Sequence, residues 1–144
     1  MKDVHEPVTG RVGRVLVVDD EAQVRKPISL ILRREGYEIV EAEDGEQAIH
    51  KINAGDNPLM VDAILCDIRM PKINGTEAIA YFRSQYPGVP VIVMTGYPDV
   101  DLAVSLMKQG VRDYLVKPVS REELIAVVKK AVDAHEILSD QFTV

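Results

Sequence analysis

Four short apolar runs in this 144-residue chain stop at a group that can do chemistry. Val15–Val18 is followed by Asp19, Asp20 and Glu21, and Ala63–Cys66 by Asp67. Val91–Met94 is followed by Thr95 and Gly96, and Tyr114–Val116 by Lys117 and Pro118. Runs of this length, rich in β-branched residues, read as strands. If they are neighbouring parallel strands, their ends gather three carboxylates, a hydroxyl and an ammonium around one point. Carboxylates crowded together repel, and some would stay protonated without a cation beside them. All-oxygen ligands of high charge suit a hard divalent ion, Mg²⁺ (or Mn²⁺), which takes one or two carboxylates, waters and a phosphate. Lys117 and Thr95 then make sense as donors to phosphoryl oxygens on the far side of the metal.

Singly, each group says little. An acidic residue after a strand often only caps the next helix, and Asp20 or Glu21 alone would be read that way. The coincidence of complementary groups at four of five strand ends is what carries weight. A phosphate here could be held, hydrolysed or transferred to the protein. The chain has no glycine-rich phosphate loop, which disfavours a nucleotide. No Ser-His or Cys-His pairing is suggested, and His5, His50 and His135 fall in a tail and on predicted helix surfaces. Cys66 sits inside an apolar run and reads as a packed thiol. A carboxylate remains as nucleophile, with Asp67 between the other groups the natural choice, because carboxylates do form acyl phosphates. Catalysis would then be mostly positioning and charge neutralisation around an in-line displacement.

The elements that must position these groups alternate along the whole chain. Strands are expected at about Arg14–Val18, Tyr37–Glu41, Asp62–Cys66, Val91–Met94 and Arg112–Val116. The helix after the first strand, about Ala22 to Glu35, places Val24, Ile28, Ile31 and Leu32 on one face, and Gly36 ends it. Pro27 lies inside it and predicts a bend, since an interior proline removes a donor and crowds the preceding turn. A second helix follows Asp44-Gly45 and carries Ala48, Ile49 and Ile52 inward; 55–58 reads as a loop. A third covers Thr76–Gln85, with Ala78, Ile79 and Phe82 buried, and a fourth covers Asp99–Gln109, closed by Gly110. The last opens on a predicted capping box, Ser120 to Glu123, and runs to about His135. Five strand–helix repeats imply an α/β domain, doubly wound around a parallel sheet with right-handed crossovers. In such sheets the functional site lies beyond the C-terminal strand ends, where strand order reverses. Residues 1–13 read as a polar tail, 14–135 as the domain, and 136–144 as tail or linker.

Composition narrows the class. An apolar share of 47% and a charged share of 28% are those of a soluble globular domain. A net charge of -6 argues against direct nucleic-acid binding. One cysteine excludes an internal disulfide, and no run approaches the roughly 18 apolar residues of a membrane span. The polar start lacks a signal-peptide core, so the cytoplasm is expected.

The chain resembles the receiver domains of two-component response regulators, the family that includes the single-domain chemotaxis regulator, over about Arg14 to Ala134. The resemblance rests on Val17-Val18-Asp19-Asp20-Glu21, on Asp67-Ile68-Arg69-Met70-Pro71 with Gly75 following, on Thr95-Gly96 and on Lys117-Pro118. It implies the flavodoxin-like strand order 2-1-3-4-5 and a signalling switch whose only chemistry is on itself. It further implies that Asp67 accepts a phosphoryl group from the phosphohistidine of a sensor histidine kinase or phosphotransfer protein. Asp20, Asp67 and the backbone carbonyl of Arg69 would bind Mg²⁺ directly and Asp19 through water, while Thr95 and Lys117 contact the phosphoryl oxygens. The Lys117–Pro118 bond is expected to be cis. Tyr114 matches the aromatic whose ring turns inward as Thr95 moves, changing the surface of the fourth helix, fifth strand and fifth helix and allowing a phosphorylation-dependent homodimer there. Asn74 stands where an Asp is common. Arg69 and Tyr97 are expected to shield the acyl phosphate from water. An aspartyl phosphatase of similar fold would need an acid–base Asp where Arg69 stands, and a phosphate-independent docking domain would not need the intact acidic pair. A flavin protein suits 5% aromatic residues poorly. Whether the domain is freestanding or belongs to a larger regulator or hybrid kinase is left open, as are its effector and output.

Overall fold

The computed structural model describes residues 12–68 and 75–142, with side chains described as far as His135. The elements in order are β1 (Arg14–Val18), α1 (Ala22–Arg34), β2 (Glu38–Ala42), α2 (Gly45–Ile52), α3 (Asn57–Met60), β3 (Val61–Asp67), α4 (Gly75–Gln85), β4 (Val91–Thr95), α5 (Val100–Lys108), β5 (Asp113–Val116) and α6 (Arg121–Phe142). All strands pair in parallel in the order β2-β1-β3-β4-β5. The chain goes from β1 to one neighbour and then returns to add β3 on the other side. The order therefore reverses between β1 and β3, whose ends carry Asp19 and Asp67.

Alternate residues of the central strands feed two cores. Leu16, Val18, Ile64, Cys66 and Val93 pack with Ala48, Ile52, Ile79, Phe82 and Leu106 from α2, α4 and α5. Val15, Val17, Leu65, Ile92 and Met94 pack with Ile28, Leu32, Leu124 and Val128 from α1 and α6. Covering both faces is why β1, β3 and β4 read as unbroken apolar runs rather than alternating ones.

Helix ends follow local chemistry. Gly36 takes φ +98°, and the amides of Gly36 and Tyr37 return to the carbonyls of Arg33 and Leu32 at 3.0 and 3.2 Å. That pattern closes α1 with a left-handed residue. Of the predicted capping box, the Ser120 hydroxyl accepts the Glu123 amide at 3.1 Å; the return bond from the Glu123 carboxylate is not among those of the described residues.

Two expectations need correction. The predicted loop at 55–58 contains α3, with Pro58 in its first turn, where a missing amide costs nothing. Arg14 pins it by donating to Asp56 at 2.6 Å and Asn57 at 2.9 Å. The last helix does not stop near His135 but continues to Phe142, so the expected boundary falls within α6. Helix α1 continues through Pro27. Val24 and Ile31 are half-buried against the same core as Ile28 and Leu32, and Arg25 and Ser29 are buried on that side of α1 as well.

Ser29 is fully buried, and among the described residues its hydroxyl finds no hydrogen-bond partner. Ser29→Ala removes an unsatisfied group and improves helix propensity, so stability should rise by about 1 kcal/mol. The urea midpoint of the two proteins measures it. No helix among the described residues is long and apolar enough to cross a membrane.

Candidate functional site

Each strand end delivers one part. Asp19 follows β1, and its amide extends the pairing with β2 by donating to Ala42 at 3.1 Å. The residue is fully buried, yet every polar atom it carries is engaged. Oδ1 accepts the Glu21 amide at 3.0 Å, Oδ2 accepts Lys117 Nζ at 2.8 Å, and the carbonyl accepts Arg25 Nη1 at 2.6 Å. Asp67 ends β3 at 3% exposure, and its Oδ2 accepts the same Lys117 ammonium at 3.1 Å. One cation thus joins two buried carboxylates separated by 48 positions in sequence.

Lys117 is placed by its own backbone, whose amide donates to the Thr95 carbonyl at 2.8 Å, and the bond to Pro118 is cis as expected. Burial pulls the Lys117 ammonium toward neutrality, but the hydrogen bond and charge of Asp19 and the charge of Asp67 outweigh it. The net shift is upward from the ordinary 10.5. The sign fixes a pH dependence. A group that holds its proton more tightly when folded contributes its full stability below 10.5 and loses it as pH rises through the folded value. The destabilisation caused by Lys117→Met, measured without divalent cation, should therefore be full at neutral pH and shrink only above that range. Comparing parent and variant at each pH cancels the titration of other lysines and tyrosines.

Thr95 lies one position beyond Met94, the register partner of Asp67. Its hydroxyl turns to its own loop, accepting the Tyr97 amide at 3.0 Å and donating to the Tyr97 carbonyl at 3.2 Å. Tyr114 is half-buried against the α4/α5 side of the core, and its hydroxyl accepts the Asp99 amide at 3.3 Å at the start of α5. Tyr97 is 65% exposed. Arg69, Met70, Pro71 and Asn74 lie outside the described residues. Cys66 is a buried core thiol as expected: burial, with the charges of Asp67 and Asp19, pushes its ionisation up and excludes a thiolate nucleophile.

Carboxylate oxygens of Asp19, Asp20 and Glu21 all lie within 4.8 Å of one another. Asp20 and Glu21 are exposed while Asp19 is buried, so the trio is open to solvent on one side. Such hard, negatively charged donors fit a divalent cation of the Mg²⁺ type. Glu21, expected only to start a helix, converges with the acidic pair, whereas Asp67 meets Asp19 through Lys117. A cleft of about 370 Å³ between Arg83, Arg112 and His135 lies at the opposite, N-terminal end of the strands, and no acidic residue of the site lines it. The strand-end cluster therefore lies apart from that cleft, with Asp20 and Glu21 as its exposed edge.

The model of the response regulator receiver domain matches residues 15–129. The chain belongs to the response regulator receiver family. Regulatory protein AtoC of Escherichia coli K12 is 38% identical over 126 residues, 88% of this chain and 26% of that protein. Transcriptional regulatory protein ZraR of Klebsiella oxytoca is 35% identical over 92% of this chain and 29% of its own length. This receiver thus spans between a quarter and a third of those two curated relatives. Among solved structures, a response regulator receiver domain protein from Clostridium thermocellum superposes with a TM-score of 0.82 at 28% identity, covering 88% of this chain and 99% of that one. The receiver domain of NtrX from Brucella abortus gives 0.74 at 30% identity, covering 83% and 98%.

One residue of this receiver's site was missed in the sequence, and the structure gives the physical reason for Gly75, which the motif already held. Arg25 was not singled out in the sequence, yet it is 5% exposed and bonded to Asp19. Gly75 lies directly against the backbone that follows Asp67. The run Val24-Arg25-Lys26 gave no signal separating the buried cation from the exposed one.

Proposed function

We propose that this receiver is a phosphoacceptor switch in which Asp67 takes a phosphoryl group from the phosphohistidine of a sensor histidine kinase or phosphotransfer protein. The observation that carries the proposal is the single ammonium of Lys117 bonded to Asp19 Oδ2 at 2.8 Å and Asp67 Oδ2 at 3.1 Å. It fixes the reacting carboxylate beside the acidic cluster and supplies a cation where phosphoryl charge develops. An oxygen of Asp67 attacks phosphorus in line; the O–P bond forms as the P–N bond breaks, and the departing imidazole is reprotonated from solvent. Asp20, Asp67 and the Arg69 carbonyl directly, and Asp19 through water, would hold Mg²⁺ (or Mn²⁺), which would neutralise phosphoryl charge when bound. Lys117 stays protonated and donates to a product oxygen.

The product adds about two negative charges. Thr95 then exchanges its bonds to Tyr97 for one to a phosphoryl oxygen. Tyr114 follows, and its release of the Asp99 amide loosens the start of α5. The face that changes is built by α5, β5 and α6. It carries exposed Val100, Val104 and Met107 at helical spacing, with Val116 beside them, an apolar stripe suited to a partner or a second copy of this chain. Arg69 and Tyr97 set the lifetime of the acyl phosphate by shielding it. AtoC and ZraR are named as regulatory proteins, and control of an output of that kind in the cytoplasm is the role assigned here to residues 14–135.

The test is incubation of the protein with Mg²⁺ and acetyl phosphate, followed by intact mass measurement. A gain of one phosphoryl mass, labile in base and dependent on Mg²⁺, is expected. No gain together with no Mg²⁺ binding overturns the proposal.

A further inference from the structure

Helix α1 buries a guanidinium. Arg25 sits between Val24 and Ile28 on the covered side of the helix at 5% exposure. A buried arginine persists only when its donors are matched, and here the partners are specific. Nε donates to Glu41 Oε1 at 2.9 Å and Nη1 donates to the Asp19 carbonyl at 2.6 Å. Glu41 ends toward the same side of β2 and also pairs with Lys26 at 3.1 Å and Arg33 at 3.5 Å. Burial raises its proton affinity, but the hydrogen bonds from Lys26 and Arg25 outweigh this and hold it ionised.

The geometry points to Arg25 as a positioning residue for the acidic site: its guanidinium, oriented by Glu41, fixes the Asp19–Asp20 peptide and thereby aims both carboxylates. The proposal presupposes the phosphoacceptor role of Asp67 and adds a residue that touches neither phosphate nor metal. The Asp19 amide is already tied to Ala42. With its carbonyl tied to Arg25, the peptide planes on both sides of Asp19 are each held by a hydrogen bond, which restricts the two backbone dihedrals that planarity leaves free. The Asp19 side chain is then committed to the Glu21 amide and Lys117. The exposed Asp20 carboxylate springs from the far side of that same peptide. Its direction depends on a plane that Arg25 holds.

The sign of one measurement separates positioning from the two simpler roles. If Arg25 acted only as a nearby positive charge, removing it would tighten Mg²⁺ binding. If it were only a staple between α1 and β2, removing it would lower the melting temperature and leave Mg²⁺ affinity alone. A positioning role alone predicts weaker binding after loss of a cation. The experiment is calorimetric titration of Mg²⁺ into parent, Arg25→Met, Arg25→Lys, Glu41→Gln and Lys26→Ala, with melting temperatures recorded in the absence of metal. Outer-shell partners of metal ligands are worth about 10–100-fold in affinity, so a weakening of about tenfold or more is expected for both Arg25 variants. Arg25→Lys keeps the charge but lacks the planar fork that bridges Glu41 and Asp19. Glu41→Gln should weaken binding in the same direction, and it carries the test if the Arg25 variants do not fold. Lys26 is exposed and reaches the site only through Glu41, so its removal should weaken binding less than either Arg25 variant does. Unchanged or tighter Mg²⁺ binding in folded Arg25→Met, Arg25→Lys or Glu41→Gln overturns the proposal. A parent that binds no Mg²⁺ overturns the phosphoacceptor role first and this proposal with it. A parent that binds Mg²⁺ alongside variants that match it overturns this proposal alone.

Discussion

Asp67→Asn is expected to take up no phosphoryl group from acetyl phosphate under conditions that label the parent. The substitution is nearly isosteric and leaves an amide oxygen that can still accept from Lys117, so the fold should persist. What disappears is the nucleophile, since a neutral amide oxygen does not form the acyl phosphate. No neighbouring carboxylate is placed to take over. Asp19 is fully buried with both oxygens engaged by the Glu21 amide and Lys117. Among the described residues no cation touches Asp20 or Glu21, so a phosphoryl group arriving there would lack the ammonium that Lys117 offers at Asp67. Folded-state stability without Mg²⁺ should change little. The lost attraction to Lys117 is offset by relief of repulsion from Asp19 and by the smaller desolvation cost of a neutral amide at a position only 3% exposed. Intact mass spectrometry of parent and variant after the same incubation decides the matter. A labelled Asp67→Asn protein would move the acceptor elsewhere.

The sheet and the cluster of polar groups at its strand ends were legible because both are written in short windows. Val15–Val18 is apolar at every position because helices cover both faces of β1, and the first polar residues after it fall where the strand leaves that cover. The same reasoning found Asp67 and Lys117, and the register places Thr95 opposite Val116, one residue before Lys117. The features that were not legible depend on partners distant in sequence. The burial of Arg25 is decided by Glu41, 16 positions away on another strand, and periodicity within α1 holds no record of it. Helix α3 exists because Arg14, 42 positions earlier, closes on Asp56. The length of α6 eluded the sequence for another reason: His135 reaches Asp62 at 2.9 Å, so the helix is still docked where its apolar pattern fades.

Gly75→Ala should be the most disruptive single methyl in the molecule. Gly75 opens α4, and a Cβ built on it would lie 2.2 Å from Ile68 Cα, 2.4 Å from the Asp67 carbonyl oxygen and 2.8 Å from the Ile68 carbonyl carbon. All three contacts are backbone, so no rotamer change relieves them. The Gly75 amide also donates to the Ile68 carbonyl at 3.2 Å, which locks the two segments together. Two movements can make room. Either α4 retreats and pulls Ala78, Ile79 and Phe82 out of register with the core, or the chain after Asp67 shifts and draws its carboxylate away from Lys117. Overpacking of a close-packed site costs about 1–3 kcal/mol, occasionally more, and the absence of any flexible neighbour places this case near about 3 kcal/mol. Because misplacement of a reacting group by about 1 Å can cost about 100-fold in rate, phosphoryl uptake per folded molecule should fall by a comparable factor. Gly96→Ala is the matched control. It lies in the loop beyond Thr95, nothing stands within 4 Å of its built Cβ, and its stability should stay within about 0.5 kcal/mol of the parent. Urea unfolding and labelling rate, measured on both variants, test the argument together. A Gly75→Ala protein that matches Gly96→Ala in both would mean that the backbone behind Asp67 yields freely, and the tight seat of the acceptor would no longer explain its placement.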